Sequence, residues 1–333
     1  MDRTVDWADG AIIAIDQVAL PGEYRTVLLP DIDGLIAAIQ ALVIRGAPAL
    51  GAAGALGVAL AAARPGADEA AVRADAARIA TARPTAVNLA WGVDQALARL
   101  PDGPQAVLAR ALAILDEDER DNRAAARLAA DHVLRLCDRR PLRLHTHCNA
   151  GRLATVAWGT ALGAIHELAD RGVVEEVLAD ETRPLLQGAR LTAWELAEAG
   201  IAYRICVDSA GPAAIAAGLV DCVIVGADRV AANGDVANKI GTFSLALAAR
   251  HAGIPFIVVA PESTLDPDTA TGADIDVEQR SAAEVTHVAG RRIAPEGARV
   301  FNPAFDVTPA ELVTAVVTQA RILVAGKEIS ATE

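Results

Sequence analysis

The hydrophobic pattern of the chain changes its period near residue 138. Between residues 31 and 136 apolar positions recur at helical spacing in five segments, and the first 30 residues hold two extended stretches, AIIAIDQVAL and YRTVLL, around the turn sequence PGEY. After DRRP the apolar runs are short, and helical stretches separate most of them. These runs are LRLHTHC, EEVLADE, AYRICVD, DCVIVGAD and PFIVVAP. Strands that alternate with helices predict right-handed crossovers and a parallel sheet.

The two patterns predict an α/β protein with two domains. Residues 1–138 are expected to form a mainly helical domain with initial β-strands, and residues 139–333 a Rossmann-like α/β catalytic domain. Residues 46–63 carry no charge over 18 positions, which is close to the length of a membrane span. Because most of them are Ala and Gly rather than the large apolar residues that drive insertion, we interpret this segment as a helix buried in protein.

Composition and charge narrow the classes of function. The 333-residue chain is 53% hydrophobic but only 3% aromatic, which is typical of closely packed helices and a buried sheet and not of a disordered chain. A net charge of −13 argues against nucleic-acid binding, because that requires a basic surface that displaces counterions. The four cysteines lack CxxC spacing, so we expect no disulfide scaffold and a cytoplasmic location. No basic and apolar leader opens the chain, so we expect no signal peptide.

Candidate chemistry gathers where the predicted parallel strands end. Ligands of open α/β sheets bind beyond the carboxyl ends of the strands, and these ends carry Cys148, Asp180, Asp208 and Asp228. Cys148 is expected at a turn from strand into helix, where a helix N-terminus lowers the pKa of a thiol. Residues 149–151 would then present backbone N–H groups to an anion. A buried structural cysteine is the alternative interpretation.

Metal and nucleotide cofactors are not expected. His145 and His147 share one face of the predicted strand, but Cys148 lies off that face and no second pair of ligands stands nearby. The glycines of GAAGALG follow helical spacing and favour helix packing over a dinucleotide loop. The sequence contains neither GxxxxGK[ST] nor GxSxG, so a phosphate loop for nucleoside triphosphates and a hydrolase elbow are both unsupported.

Three segments offer cations to an anionic ligand. In VIRGAPALG an arginine precedes a Gly-Ala pair that lets a ligand approach the backbone, in TARPTAVNLAWG an arginine precedes a helix start, and in DVANKIGT an asparagine precedes a lysine. Two arginines and a lysine suit a phosphate, because guanidinium groups bind it in a fork. The candidate residues are Arg45, Gly46, Ala47, Arg83, Asn238 and Lys239.

Longer blocks distributed over nearly the whole chain carry a resemblance to a known family. The blocks are RGAPALGAAGALGVAL, RPTAVNLAWG, THCNAG, ETRPLLQGARLTAWEL, GADRVAANGDVANKIGTFSLAL and NPAFDVTP. In them the chain resembles the methylthioribose-1-phosphate isomerases, which are aldose–ketose isomerases of methionine salvage. Their superfamily includes the regulatory subunits of eukaryotic translation initiation factor 2B. The stretch DSAGPAAI departs from the family's pattern.

The resemblance implies roles for individual residues. Cys148 and Asp228 fall on the catalytic pair, with Asp228 as the proton donor to the ring oxygen. The family's substrate contacts fall on Arg45, Gly46, Ala47, Arg83, Gln187, Asn238 and Lys239. The resemblance further implies a homodimer that needs neither a metal nor a cofactor.

The implied reaction converts 5-methylthioribose 1-phosphate into 5-methylthioribulose 1-phosphate. Phosphate on the anomeric oxygen prevents ordinary opening of the ring, so the reaction requires an acid near the ring oxygen before hydrogen moves from C2 to C1. A carboxyl group in an apolar pocket would hold its proton near neutrality, because burial raises its pKa. The alternatives are an isomerase of 5-deoxyribose 1-phosphate, an isomerase of ribose 1,5-bisphosphate, and a non-catalytic regulatory subunit of a nucleotide-exchange complex. The bisphosphate is least favoured, because no further basic cluster is evident in the sequence.

Overall fold

A computed structural model describes residues 3–83 and 86–324 and the backbone of residues 327–330. The chain begins with a small antiparallel sheet in the order β1-β2-β3. Its strands are β1 (Val5–Ala8), β2 (Ala11–Ile15) and β3 (Thr26–Leu29). The last two coincide with the predicted extended stretches, whereas β1 was not predicted because Asp6 interrupts its four residues and leaves no apolar run.

Five helices follow, as the helical spacing predicts. They are α1 (Ile32–Gln40), α2 (Ala47–Ala63), α3 (Glu69–Ala80), α4 (Val87–Leu97) and α5 (Pro104–Leu136). The caps of α1 and α3 are aspartates, Asp31 and Asp68, whose carboxylates accept backbone N–H groups of the first turn. Among the residues that the structure describes, no helix has the length and apolar character required to cross a membrane.

Helix α2 lies at the centre of the N-terminal core, as expected of the uncharged segment. All but its first two and its last residue are buried. Its glycines allow close helix packing, because a Cβ atom at Gly51 or Gly54 would press on the backbone of α4. A Cβ atom at Gly92 of α4 would in turn clash with the backbone of Gly51. Helix α5 extends from this core to a second core around the C-terminal strands.

The C-terminal part alternates strands with helices. Its strands are β4 (Leu142–Thr146), β5 (Val174–Asp180), β6 (Tyr203–Cys206), β7 (Cys222–Val225), β8 (Arg229–Ala231), β9 (Val236–Lys239), β10 (Phe256–Val259), β11 (Leu265–Asp266), β12 (His287–Val288), β13 (Arg291–Arg292), β14 (Phe305–Thr308), β15 (Ala315–Val317), β16 (Arg321–Val324) and β17 (Lys327–Ser330). Its helices are α6 (Ala161–Asp170), α7 (Ala193–Glu198), α8 (Ala210–Ala216), α9 (Thr242–Ala252) and α10 (Ala283–Thr286).

The main sheet contains eight strands in the order β17-β16-β15-β10-β7-β4-β5-β6. The strands from β15 to β6 are parallel, so the predicted parallel sheet is confirmed. Numbered along the chain, these six strands follow the order 3-2-1-4-5-6, and the direction of winding reverses between β4 and β7. Such a reversal opens a crevice at the carboxyl ends of the two central strands.

A second sheet of four strands, in the order β11-β8-β9-β14, was not predicted. The sequence suggested that the strand in DCVIVGAD reaches Asp228, but β7 ends at Val225 and Asp228 lies in the loop that leads into β8. The strands of this sheet are short and contain polar residues, so they form no continuous apolar run such as those of β7 and β10, which explains the omission. The hairpin of β8 and β9 returns the chain to the crevice at Lys239.

Candidate active site

One cavity at the crevice brings together all nine residues to which the resemblance assigns a catalytic or substrate-binding role. It encloses about 100 Å³. We call the part contributed by the helical region the helix side, which consists of Arg45, Gly46, Ala47 and Arg83. The sheet side consists of Cys148, Gln187, Asp228, Asn238 and Lys239.

Arg45 anchors the helix side from a buried position. Its guanidinium group donates to the backbone oxygen of Asn149 at 3.0 Å and also to the Asn149 side-chain oxygen, and its Nε donates to Gln17 Oε1 at 3.2 Å. Burial lowers the pKa of Arg45, although the acidic groups around the cavity oppose that change. An arginine remains cationic under such a shift, since its ordinary pKa is above 12. The cavity therefore contains a fixed positive charge.

Gly46 caps helix α2 and adjoins the loop that follows Cys148. Its φ of 90° lies in the region that favours glycine, and a Cβ atom there would clash with the backbone of Ala154. The 17-residue helix begins at Ala47 with its N-terminus at the cavity. The free N–H groups and the positive end of a helix dipole attract anions, which adds to the charge of Arg45.

Two further arginines approach the cavity, and one of them was missed. Arg83 lies 3.7 Å from the Glu278 carboxylate. Arg280, which the sequence analysis did not select, lines the cavity and pairs with Glu278 at 2.8 Å and Glu284 at 2.6 Å. The charge of Arg280 is thus balanced by carboxylates. Its neighbour Glu284 at i+4 looks like an ordinary surface pair in sequence, so no signal there pointed to the cavity.

Gln187 and Asn238 bring amide groups to the sheet side. The Asn238 amide donates to Thr242 Oγ1 at 3.0 Å, and that hydroxyl donates to the Lys239 backbone oxygen at 2.7 Å. Gln187 is buried, and within the described part of the chain its Oε1 has no hydrogen-bond partner. A buried oxygen without a partner is costly unless a ligand or water donates to it. Gln187 is therefore placed to accept a hydrogen bond from a bound hydroxyl group.

Cys148 is held in a conformation that cysteine rarely adopts. Its φ is 60°, its N–H donates to Thr182 Oγ1 at 2.9 Å, and its carbonyl oxygen accepts from Thr192 Oγ1 at 2.5 Å. A left-handed conformation at a residue other than glycine costs about 1–3 kcal/mol and occurs preferentially at functional sites. Thr182 lies on the segment that leads to Gln187, and Thr192 directly precedes helix α7.

The predicted low pKa of the Cys148 thiol is wrong. Burial raises its pKa, and the positive charges of Lys239 and Arg45 only oppose that effect. The expected helix N-terminus is absent at this position, because the chain after Cys148 forms a short turn at Arg152–Ala154 and α6 begins only at Ala161. Cys148 therefore presents a protonated thiol to the cavity rather than a thiolate.

Asp228 is the carboxyl group of the cavity. Its backbone N–H donates to the Ala237 oxygen at 2.9 Å, which fixes the start of the β8–β9 hairpin. Burial raises the pKa of its carboxyl group, against the opposing charges of Lys239, Arg83 and Arg45. A ligand phosphate would neutralise these cations and so raise the pKa further. The arrangement favours a proton on Asp228 when an anion is bound.

Asp180 ends β5, whereas Asp208 lies two residues beyond the end of β6 and not at a strand end as the sequence suggested; neither lines the cavity. Asp180 lies 2.7 Å from His147 Nδ1, and His147 Nε2 lies 2.8 Å from the backbone oxygen of Ile240. Because both partners of the ring are acceptors, both nitrogens donate and the imidazole is protonated. Burial lowers the pKa of His147, but Asp180 more than compensates and raises it. The histidines hold the pKa of Asp180 at about 2 despite its burial.

Within residues 3–83 and 86–324, only His147, Asp180 and Asp208 come close enough together to suggest a metal site. The donors do not suit an ion. Neither ring nitrogen of His147 has a free lone pair, and Asp208 accepts the N–H groups of Thr182 and Arg183, each at 2.7 Å. These residues form a structural ion-pair network behind Cys148.

The similarity of this chain to known proteins extends over the predicted site residues. A sequence profile of the Initiation factor 2 subunit family matches residues 43–323. The chain belongs to the Initiation factor 2 subunit family. Its relatives in this family include a probable bifunctional methylthioribose-1-phosphate isomerase/methylthioribulose-1-phosphate dehydratase of Nocardia farcinica, which is 63% identical over 96% of this chain. The chain spans 58% of the length of that relative.

Other similar proteins match over almost their full length. A 5-deoxyribose 1-phosphate isomerase of Moorella thermoacetica is 49% identical over 96% of this chain and 93% of its own. The crystal structure of 5-methylthioribose 1-phosphate isomerase from Pyrococcus horikoshii has a TM-score of 0.88 and 36% identity, and covers 97% of this chain and 93% of that one. The structure of the translation initiation factor eIF-2B delta subunit from A. fulgidus has a TM-score of 0.86 and 40% identity, with coverage of 97% and 96%.

Proposed function

We propose that this protein is an isomerase that converts 5-methylthioribose 1-phosphate to 5-methylthioribulose 1-phosphate in methionine salvage. The observation that carries the proposal is the meeting of a carboxyl group with raised pKa, a partly buried thiol and the N-terminus of helix α2 in one cavity. The names of the relatives from Nocardia farcinica and Pyrococcus horikoshii support the same reaction.

The helix side would bind the phosphate of the substrate. Arg45 and Arg83 supply guanidinium groups, and the backbone at Gly46 and Ala47 supplies N–H groups at the start of α2. Lys239 would add its charge from the sheet side. The Gln187 oxygen and the Asn238 amide would contact hydroxyl groups of the sugar. These contacts position the ring without a metal ion or a nicotinamide.

Asp228 and Cys148 would carry the chemistry. Asp228, whose protonated form is favoured by burial, gives its proton to the ring oxygen as the bond from C1 to that oxygen breaks. The anomeric phosphate stays on C1 throughout. Hydrogen then moves from C2 to C1, and the C2 hydroxyl group gives its proton to the Asp228 carboxylate, which leaves a ketone at C2 and regenerates the acid. The protonated Cys148 thiol lies on the same side of the cavity and would donate a hydrogen bond to an oxygen at the reacting carbons.

Isomerisation of 5-deoxyribose 1-phosphate is the second candidate, and the relative from Moorella thermoacetica favours it. A thioether and a methyl group both require apolar surface, which the cavity offers at Leu42, Leu185 and Phe305. Ribose 1,5-bisphosphate would require another cation. The additional arginine, Arg280, is already paired with two carboxylates, so the bisphosphate remains the least favoured substrate. The retained Cys148 and Asp228 argue against a purely regulatory subunit.

We further propose the organisation predicted from the sequence. Residues 1–138 would be the N-terminal domain and residues 139–333 a Rossmann-like catalytic domain, which the strand order of the main sheet supports. The protein would be a homodimer. Four free cysteines support a cytoplasmic location.

The substrate panel tests the proposed function. Purified protein is incubated separately with 5-methylthioribose 1-phosphate, 5-deoxyribose 1-phosphate and ribose 1,5-bisphosphate, and ketose formation is followed over time. The largest kcat/KM is expected for the methylthio substrate. Ketose formation from none of the three would contradict the proposal and favour the regulatory subunit.

A further inference from the structure

A buried carboxylate outside the cavity connects its two sides. Glu195 on α7 is 4% exposed. Its Oε1 accepts from Asn149 Nδ2 at 2.7 Å and from the backbone N–H of Leu153 at 3.4 Å, and its Oε2 accepts from the backbone N–H of Arg152 at 2.8 Å. Gly151 makes room for this contact, because a Cβ atom there would clash with both carboxylate oxygens.

The Asn149 side-chain amide connects the Glu195 carboxylate to the Arg45 guanidinium group through hydrogen bonds. Its nitrogen is held by Glu195 and by Thr192 Oγ1 at 3.2 Å, so its oxygen must face the opposite way, towards the Arg45 guanidinium group. Asn149 is 5% exposed, and the protein therefore fixes which end of the amide each partner meets. The same Thr192 hydroxyl donates to the Cys148 backbone oxygen.

We infer that Glu195 is a positioning residue that aligns Arg45 for the substrate phosphate through the side chain of Asn149. Three N–H donors surround the carboxylate, and an ionised carboxylate, which only accepts, matches them. A glutamine in its place offers one oxygen and an NH₂ group. In either orientation that NH₂ group would face a backbone N–H, that of Arg152 or that of Leu153, so glutamine cannot accept from all three donors and would hold the Asn149 amide less firmly.

The test compares Glu195→Gln, Asn149→Ala and the double variant with the wild-type full chain. Removal of a hydrogen bond to a charged group typically weakens binding about 10-fold, so each single variant should raise KM for 5-methylthioribose 1-phosphate about 10-fold and change kcat much less. The double variant should be no worse than either single one, because both changes break the same connection. Glu198→Gln, an exposed change on the same helix, is the matched control and should leave KM unchanged.

The kinetic readout rests on the proposed function, so binding of inorganic phosphate is measured as well by calorimetry. Phosphate affinity should fall in both single variants even if the wild-type protein turned over none of the sugars, which separates failure of the proposed function from failure of this inference. If Glu195→Gln did not fold, the phosphate affinity of Asn149→Ala alone would test the inference. That variant keeps the hydrogen bonds from the Arg152 and Leu153 N–H groups to the Glu195 carboxylate. Unchanged phosphate affinity in a folded Asn149→Ala variant, or losses that multiply in the double variant, would overturn the inference.

Discussion

The helix side and the sheet side of the cavity present different chemistry to a ligand. The helix side carries Arg45, Arg83 and the N-terminus of α2, which are positive at any ordinary pH. The sheet side carries Asp228 and Cys148, whose pKa values burial raises. Most of the charge that attracts an anion thus comes from a different part of the chain than the groups that hold a transferable proton; Lys239 is the cation on the sheet side. Binding and proton transfer should therefore be separable by substitution, since interactions formed equally in ground and transition states affect mainly KM.

The largest effect is expected on the sheet side, from Asp228→Asn. This change keeps the shape of the side chain but removes its acidic proton. General acid catalysis typically contributes about 10²–10⁴-fold, so kcat should fall by about that factor while the affinity for inorganic phosphate stays within a few-fold. Steady-state kinetics and phosphate calorimetry on the folded variant measure the two quantities. An unchanged kcat would show that Asp228 is not the proton donor of the reaction.

A smaller loss of turnover is expected from Cys148→Ser. Serine retains the size and the backbone contacts but replaces the thiol with a less acidic hydroxyl, so kcat should fall at least about 10-fold, at the weak end of catalytic hydrogen bonding. The thermal midpoint should remain near that of the wild-type protein. Wild-type turnover in this variant would show that Cys148 only packs the cavity wall.

On the helix side, Arg45→Ala should raise KM rather than lower kcat. Loss of a charge-assisted contact to phosphate should raise KM about 10–100-fold. The control is Arg73→Ala on the exposed face of α3, where a pair with Glu69 should contribute little. If kcat fell for Arg45→Ala as steeply as for Asp228→Asn, the proposed division between the two sides would be wrong.

The smallest effect concerns stability. At the left-handed φ of Cys148, glycine should be more stable than alanine by about 1 kcal/mol, because alanine retains the steric cost. In α3 the opposite sign is expected, since Ala74→Gly at an exposed helical position should destabilise by about 1 kcal/mol. Denaturant unfolding of Cys148→Gly, Cys148→Ala and Ala74→Gly measures both differences. Equal stability of the two Cys148 variants would argue that the backbone there relaxes without strain.

Sequence patterns predicted the larger elements and failed at the short ones. Five N-terminal helices and the parallel strands β4, β5, β6, β7 and β10 show recognisable apolar patterns. Strands β8, β9, β11 and β14 of the second sheet contain two to four residues each, so their position depends on tertiary contacts rather than on local pattern. The strand ends at Cys148 and near Asp228 could be predicted because buried parallel strands form continuous apolar runs.

The local environment of the site residues could not be predicted in the same way. The expectation for Cys148 assumed a helix directly after β4, whereas the intervening loop leaves the thiol partly buried, and the loss of solvent raises its pKa. Asp180 was expected in the cavity, but its carboxylate pairs with His147 instead. This pairing depends on the packing of two strands. Glu195 and Arg280 were missed because their roles depend on contacts far apart in sequence.

The pH dependence of kcat/KM for 5-methylthioribose 1-phosphate tests the central claim most directly. A proton donor acts only when protonated, so activity that depends on Asp228 is present below its folded-state pKa and is lost as the pH rises through it. The wild-type profile should fall on the alkaline side with an apparent pKa above the ordinary aspartate value of about 3.9. Asp228→Asn, measured with the same substrate, should lack that limb. The same limb in both proteins would assign it to the substrate or to another group and would contradict the role of Asp228 as the acid.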